Sequence, residues 1–265
     1  MRFESIASGS SGNCIYVGTE ETHVLIDAGI SGQRVAEGLH QAGLDGKDIK
    51  GIFVTHEHID HIQGLGVLAR RYHIPIFATE GTIEGIMETR SIGNIDPELF
   101  YMLRKDQDFV FGDLSIHPFT ISHDAKEPCG YTLTNGAKKV AVATDMGTFT
   151  PYTVDQLQGL NAILLESNHD VRMLQTGPYH YMLKQRILSD WGHLSNENCG
   201  VLLSQLLNPD MEYIPLGHLS KENNLPELAY AAVRLEIDMS EAPYKAADFD
   251  IRVASRDHCS EVLTV

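Results

Sequence analysis

The chain has 265 residues, a length that suits one large domain or two small ones. Its hydrophobic share of 43% and charged share of 21%, without a run of about 18 apolar residues, are typical of a globular protein with no membrane-spanning helix and no membrane partner. A net charge of −16 argues against a broad basic face that coats nucleic acid. It does not exclude an enzyme that grips nucleic acid only at its end.

The start of the chain lacks the apolar stretch of a secretory signal, which predicts a cytoplasmic protein. Its four cysteines are scattered, with no Cys-x-x-Cys pair. This pattern suits a reducing compartment and offers no thiolate zinc site. The 13 histidines are more informative, because an unusual share of them lies in short clusters and histidine is the commonest metal ligand.

In chain order, the sequence predicts strands and helices that alternate in two similar halves. Short β-rich runs open it, at 2–7, 14–17 and 23–26. A helix at 33–42, a strand at 51–55, a helix at 62–72, a strand at 74–78 and a helix at 81–90 follow. Strands return at 108–111, 114–120, 129–134, 139–144 and 162–166, and the chain closes with helices at 181–189, 196–207 and 226–235 and strands at 213–216 and 250–254. This order predicts an α/β fold with two sheets packed face to face and helices outside.

The strongest chemical signal is Thr-His-Glu-His-Ile-Asp-His at 55–61, directly after an apolar strand. In extended or loosely turned backbone, alternate side chains point the same way. His56 and His58 can therefore grip one metal, while Asp60 and His61 reach a neighbouring one. Four nitrogen and oxygen ligands without sulfur suit Zn²⁺, Mn²⁺ or Fe²⁺.

This cluster, His-x-His-x-Asp-His after a strand, resembles that of the metallo-β-lactamase superfamily. The resemblance spans nearly the whole chain and implies one domain over 1–265, an αββα four-layer sandwich with two divalent metal ions at the ends of its facing sheets. Carried over, it implies that His56, His58 and His123 hold one ion and that Asp60, His61 and a late histidine hold the other. It also implies that Asp145 bridges the ions and that Asp27 braces the site from behind. Two dications close together need such an anionic bridge to offset their repulsion.

The late histidine has two candidates, each in one of two related heptapeptides. These are Gly-His-Leu-Ser-Asn-Glu-Asn at 192–198 and Gly-His-Leu-Ser-Lys-Glu-Asn at 217–223. His218 follows a strand-like run, as the other expected ligands do, so we expect it to bind metal. His193 follows a helical pattern and a turn instead. Ser195 is a good N-cap for the next helix, whose free N–H groups suit a phosphate, and we expect His193 to face the substrate.

These heptapeptides, together with Ser-Gly-Ser-Ser-Gly-Asn-Cys at 8–14 and Glu-Ser-Asn-His-Asp at 166–170, are similar to the WalJ (YycJ) family. That resemblance implies a two-metal phosphodiesterase, a 5′-to-3′ DNA exonuclease linked to mismatch repair, whose substrate is a DNA end or possibly an RNA end. It implies that His193, Glu166 and Asp60 are the catalytic group, with Glu166 orienting His193. Only 72 residues separate Asp145 from His218, too few for a large inserted β-CASP domain.

Six further residues are candidates for substrate binding: Ser10, Asn13, Asn168, His169, Ser195 and Ser220. Other functions remain open on the same fold. The metal pair could hydrolyse a small ester, thioester or lactam, which would not require Glu166 and His193. A di-iron oxidoreductase usually carries glutamate where this chain has His58. A binding module without catalysis would not need a complete ligand set.

Overall fold

The first half of the chain forms a sheet that begins antiparallel and continues in parallel. Its strands are β1 (Arg2–Ala7), β2 (Cys14–Gly18), β3 (His23–Ile26), β4 (Gly51–Phe53), β5 (Ile76–Ala78) and β6 (Phe100–Met102). β1 to β3 pair antiparallel, whereas β3 to β6 pair in parallel. The computed structural model describes residues 1–265.

The second half repeats this plan. Its strands are β7 (Phe109–Phe111), β8 (Leu114–Thr120), β9 (Cys129–Asn135), β10 (Lys138–Ala143), β11 (Ala162–Glu166), β12 (Ile214–Gly217) and β13 (Ile251–Val253). β7 to β10 pair antiparallel and β10 to β13 in parallel. The last strand, β14 (Leu263–Thr264), returns to the first sheet beside β1, so each sheet has seven strands.

Nine helices connect the strands or follow them. They are α1 (Gly32–Gln41), α2 (Ile59–Ile62), α3 (Leu65–Tyr72), α4 (Glu80–Glu88), α5 (Pro151–Gln156), α6 (Val171–Thr176), α7 (Tyr181–Ile187), α8 (Asn196–Leu206) and α9 (Pro226–Met239). None of them combines the length and the apolar composition that crossing a membrane requires.

The sheets are buried on both faces, and strand periodicity divides their side chains between layers. On β2, Ile15 and Val17 pack between the two sheets, whereas Tyr16 packs in the layer shared with α1 and α3. Another group of buried apolar side chains, which includes Leu203 of α8 and Val233 of α9, covers the outer face of the second sheet. The predicted αββα four-layer sandwich is therefore confirmed. That residues 1–265 form a single domain stays a prediction.

The structure corrects the helix predicted at 62–72. Helical backbone begins earlier, at Ile59, and is broken at Gly64, which separates α2 from α3. Gly64 N donates to Ala28 O at 2.8 Å, and a side chain at Gly64 would lie only 2.1 Å from Ile30 O. The break thus lets the segment after β3 approach α2. Asp60 and His61 consequently lie on a helical turn rather than in extended backbone.

Four short elements were not predicted: β6, β14, α5 and α6. Each has six residues or fewer, which is too short for hydrophobic periodicity to identify. α9 also continues to Met239, four residues beyond the predicted end.

Candidate active site

The polar residues singled out in the sequence lie at the carboxyl ends of strands from both sheets. They are Asp27 after β3, His56 after β4, His123 after β8, Asp145 after β10, Glu166 at the end of β11 and His218 after β12. Strands that run in the same direction end at the same edge of their sheet, so the side chains that follow them lie close together. All six are buried, with at most 2% of their surface exposed.

Three imidazoles form the first cluster. One ring nitrogen from each of His56, His58 and His123 lies within 4.8 Å of the others, and His123 Nε2 is 3.2 Å from His58 Nδ1. His56 Nε2 is buried and has no hydrogen-bond partner, which costs about 1–3 kcal/mol if nothing else binds there. Three converging nitrogens are a donor set that suits a divalent transition metal.

Asp60, His61 and His218 form the second cluster, with ligand atoms within 4.8 Å of one another. Asp60 Oδ2 lies 3.6 Å from His61 Nε2 and 3.4 Å from His218 Nε2. The helical turn of α2 brings Asp60 and His61 back toward the first cluster. Only glycine fits at position 29 beside this turn, because a Cβ there would lie 1.6 Å from Asp60 O.

Asp145 lies between the two clusters. Its Oδ2 is 3.1 Å from His61 Nε2, and its Oδ1 is 3.7 Å from His123 Nε2. Although buried, Oδ2 accepts no well-formed hydrogen bond. Asp145 has a φ of 59°, and Asp27 and His218 share this left-handed conformation, with φ of 61° and 56°. Such conformations cost about 1–3 kcal/mol each and often mark functional sites.

Asp27 orients the second cluster through a hydrogen bond to the ring nitrogen of His61 that faces away from the cluster. Its Oδ2 accepts from His61 Nδ1 at 2.7 Å, and its two oxygens accept from the amide and hydroxyl of Thr55 at 2.8 and 2.9 Å. With its proton on Nδ1, His61 presents the Nε2 lone pair to the site. Thr55 was not predicted to contribute, although its position at the end of an apolar strand before three histidines was a usable signal.

Glu166 connects both histidines of the twin heptapeptides. Its Oε1 lies 2.8 Å from His193 Nδ1 and 2.8 Å from His218 Nδ1. Its Oε2 accepts from the amides of Met146 and Leu194 at 2.7 and 3.1 Å. Sequence reasoning paired Glu166 with His193 alone, so the second contact was missed. One buried carboxylate therefore fixes the orientation of both rings.

The histidines and carboxylates of the site stabilise each other's charged forms. Burial alone would raise the pKa of Glu166, but the neighbouring His193 and His218 outweigh it and lower the pKa to about 2. Burial would likewise lower the pKa of His218, but Asp145, Asp60 and Glu166 raise it to about 10. The carboxylates around His218 thus create a negative potential that also favours metal cations, whereas burial lowers the pKa of His56 and of His123 in the first cluster. This potential, the nitrogen and oxygen donors and the unpartnered buried atoms together fit two divalent ions.

Several candidate substrate-binding groups are engaged in internal hydrogen bonds. Ser195 Oγ caps α8 by accepting from Asn198 N at 3.2 Å, and Ser220 Oγ accepts from Asn223 N at 3.2 Å. Asn168 Nδ2 donates to the carbonyl oxygen at position 218 over 2.9 Å. These side chains support the loops of the site, and their contact with substrate stays a prediction.

The other candidates differ in exposure. His169 is buried, its Nε2 has no partner, and burial lowers its pKa to about 4. Asn13 is buried against α2: its amide N donates to Asp60 O at 2.8 Å and its Nδ2 lies 3.2 Å from His61 Nε2. Ser10 is exposed at the tip of the same loop. Asn13 thus lies close to the second cluster, whereas Ser10 faces solvent.

A buried asparagine network that sequence reasoning missed joins the two heptapeptide loops. Asn224 Nδ2 donates to the carbonyl oxygens of Ser167 and Asn168 at 2.9 and 3.0 Å. It also lies 2.9 Å from Asn196 Oδ1, which in turn accepts from Ser167 Oγ at 2.7 Å. The sequence offered only a weak signal: Asn196 follows His193 by three residues, whereas Asn224 follows His218 by six.

The fold and the geometry of this site define a metallo-β-lactamase-like protein. The family described as beta-lactamase superfamily domain matches residues 22–211. The structure of Zn²⁺-bound PqqB from Methylobacterium extorquens superposes with a TM-score of 0.70 at 16% identity, covering all of both chains. At that identity the likeness supports the fold alone.

Two relatives narrow the relationship. The exodeoxyribonuclease YycJ of Bacillus anthracis is 42% identical over 233 residues, which cover 88% of each chain. The exodeoxyribonuclease WalJ of Streptococcus pneumoniae serotype 2 (strain D39 / NCTC 7466) is 39% identical over 230 residues, covering 87% of this chain and 86% of the relative. The chain belongs to the beta-lactamase superfamily and, within it, to the YycJ/WalJ family.

Proposed function

We propose that this protein is a two-metal phosphodiesterase that acts as a 5′-to-3′ exonuclease on DNA. The observation that carries this proposal is the pair formed by the buried Glu166 and the partly exposed His193 beside the metal-ligand clusters. Hydrolysis of a carbonyl compound does not require this pair, whereas cleavage of a phosphodiester uses a proton donor for the leaving oxygen. The activity named for the two relatives supports the same substrate class.

One ion would be held by His56, His58 and His123, and the other by Asp60, His61 and His218. Asp145 would bridge them, and Asp27 would orient His61. The donors suit Zn²⁺, Mn²⁺ or Fe²⁺. Bound divalent ions lower the pKa of water toward about 7 and offset the charge that develops on the phosphoryl oxygens.

The chain's own residues supply the remaining steps. Glu166 accepts from His193 Nδ1, which leaves His193 Nε2 to face the scissile phosphate and protonate the leaving oxygen. The side chain of His193 is 16% exposed, so substrate can reach it. Asp60, whose side chain is 22% exposed, is the one carboxylate of the second cluster and would take a proton from the attacking water.

The acidic chain would hold DNA at its end, where the ions are bound, rather than along a basic face. A part in mismatch repair belongs to this proposal and has support only from the family resemblance. It predicts a raised spontaneous mutation rate in a strain that lacks the gene, and an unchanged rate would remove that part.

The substrate class is tested with purified protein and Mn²⁺, Mg²⁺ or Zn²⁺ supplied in turn. We expect release of nucleotides from single- or double-stranded DNA and little turnover of a thioester. Hydrolysis of the thioester with both forms of DNA left intact would favour the carbonyl hydrolase instead.

A further inference from the structure

The only tryptophan of the chain lies at the edge of the candidate active site. Trp191 is 61% exposed, and it precedes His193 by two residues. Two residues of chain span at most about 7 Å, so the backbone of Trp191 is close to the proposed proton donor. A large apolar ring exposed at such a position is a candidate binding surface rather than a packing element.

The loop that carries Trp191 is fixed on one side by the residue before it. Asp190 O accepts from Ser122 Oγ at 2.6 Å, and Ser122 O accepts from Gly147 N at 2.8 Å. A Cβ on Gly147 would lie 2.2 Å from Asp190 O, so only glycine permits this close approach. The loop is thus packed against the segment that follows Asp145.

The loop is fixed on the other side by the residue after it. Gly192 O lies 3.2 Å from His123 Nδ1, and Gly192 N donates to Ser189 O at 2.9 Å. His193 N donates to Ile187 O at 3.1 Å, at the end of α7. The residue after Trp191 therefore contacts a proposed metal ligand, and hydrogen bonds hold the backbone on both sides of the exposed ring.

From these observations we propose that the indole of Trp191 stacks on the base of the nucleotide beside the scissile phosphate. This inference rests on the proposed function and adds to it a residue that positions the substrate. A π-face accepts any base, which suits an exonuclease that proceeds through varied sequence. Stacking also supplies affinity that does not depend on a broad basic surface, which the net charge of −16 disfavours.

The sole tryptophan makes binding directly visible by its fluorescence. The metal-loaded protein is titrated with a 5′-phosphorylated oligonucleotide whose phosphorothioate linkages resist hydrolysis, and with a matched oligonucleotide whose terminal nucleotides lack bases. We expect the intact oligonucleotide to quench the fluorescence and the abasic one to leave it nearly unchanged. Equal signals from both, or no signal from either, would overturn the stacking.

Kinetics give a second readout that a purely structural residue would not reproduce. Base–aromatic stacking is worth a factor of about 5 to 150 in affinity, so Trp191→Ala should raise KM for DNA by such a factor and leave kcat within about threefold. Trp191→Phe should recover most of the loss, and the effect should vanish on the abasic substrate. Tyr101→Ala is the control, since Tyr101 is a 51% exposed aromatic residue on the outer strand β6.

The two proposals fail separately. Digestion of DNA by wild-type protein, with Trp191→Ala unchanged in KM, would overturn the stacking and leave the nuclease intact. Absence of any DNA digestion would overturn the nuclease, and the fluorescence titration would still decide whether Trp191 contacts a base.

Discussion

Replacing Glu166 with glutamine removes one charge from a side chain that holds two histidines at once. In the wild type, one carboxylate oxygen accepts from the Nδ1 atoms of His193 and His218, and the other accepts from the amides of Met146 and Leu194. Glutamine keeps the size of the side chain but has an NH₂ group in place of one oxygen. In either orientation of the amide, its NH₂ group takes the place of an oxygen that accepted two hydrogen bonds. The two N–H groups that donated to that oxygen then lose their acceptor.

The structure gives the expected size of this effect. Each buried donor left without an acceptor costs about 1–3 kcal/mol, so two of them cost about 2–6 kcal/mol. Part of this is offset because the neutral amide is cheaper to bury than a carboxylate. We therefore expect Glu166→Gln to lower the free energy of unfolding by about 2–4 kcal/mol. Loss of an orienting partner should weaken metal binding by about 10- to 100-fold and lower turnover of DNA by about 100- to 10,000-fold.

The assays are urea denaturation, metal content by mass spectrometry after dialysis against a metal buffer, and nucleotide release from DNA. Glu222→Gln is the matched control, because Glu222 is an exposed glutamate in the second heptapeptide. Turnover and metal content of Glu166→Gln equal to those of the control would refute the view that one carboxylate orients both rings.

Three further predictions test other parts of the structure. His193→Ala should keep both metal ions and lose most turnover, whereas His218→Ala should lose one ion per chain; equal metal loss in the two variants would refute the division between them. Asn224→Ala should destabilise the fold by about 2–4 kcal/mol because several buried groups lose a partner, while the exposed Asn198→Ala should change it by less than about 0.5 kcal/mol. Burial raises the pKa of Glu4 to about 7 from an ordinary 4.5, and neither of its oxygens has a partner. The folded state therefore keeps a proton that the unfolded chain releases, so stability falls as pH rises from about 4.5 to 7. Glu4→Gln should remove that slope and stabilise the protein above pH 7 by about 1–3 kcal/mol after allowance for solvent screening, which urea denaturation at several pH values measures.

The family and the four-layer fold could be predicted from the sequence because their signals are local. The cluster at 55–61 is contiguous, and long strands such as β8 and β9 carry clear apolar patterns. The short elements were not predicted because two to six residues contain too little periodicity. The helix break at Gly64 was not predicted for another reason, because it depends on the approach of Ala28 from a distant part of the chain.

In the candidate site, too, some features could be predicted from the sequence and others could not. The candidate ligands were found because histidine and aspartate at strand ends stand out in a sequence. The structure brings them together, and their binding of metal stays a prediction. The double contact of Glu166, the bond from Thr55 to Asp27 and the link from Asn224 to Asn168 were not predicted, because each joins residues far apart in sequence through atoms whose positions only the folded chain fixes.

The most direct test of the central proposal compares DNA duplexes that differ only at their 5′ ends. Matched duplexes with a 5′-phosphate, a 5′-hydroxyl or a blocked 5′ end are incubated with protein of measured metal content, and the released nucleotides are followed over time. We predict stepwise release from accessible 5′ ends and none from blocked ends, with the signal lost in His193→Ala at equal metal content. Equal degradation of blocked and open ends, or no degradation of any duplex, would contradict the proposal.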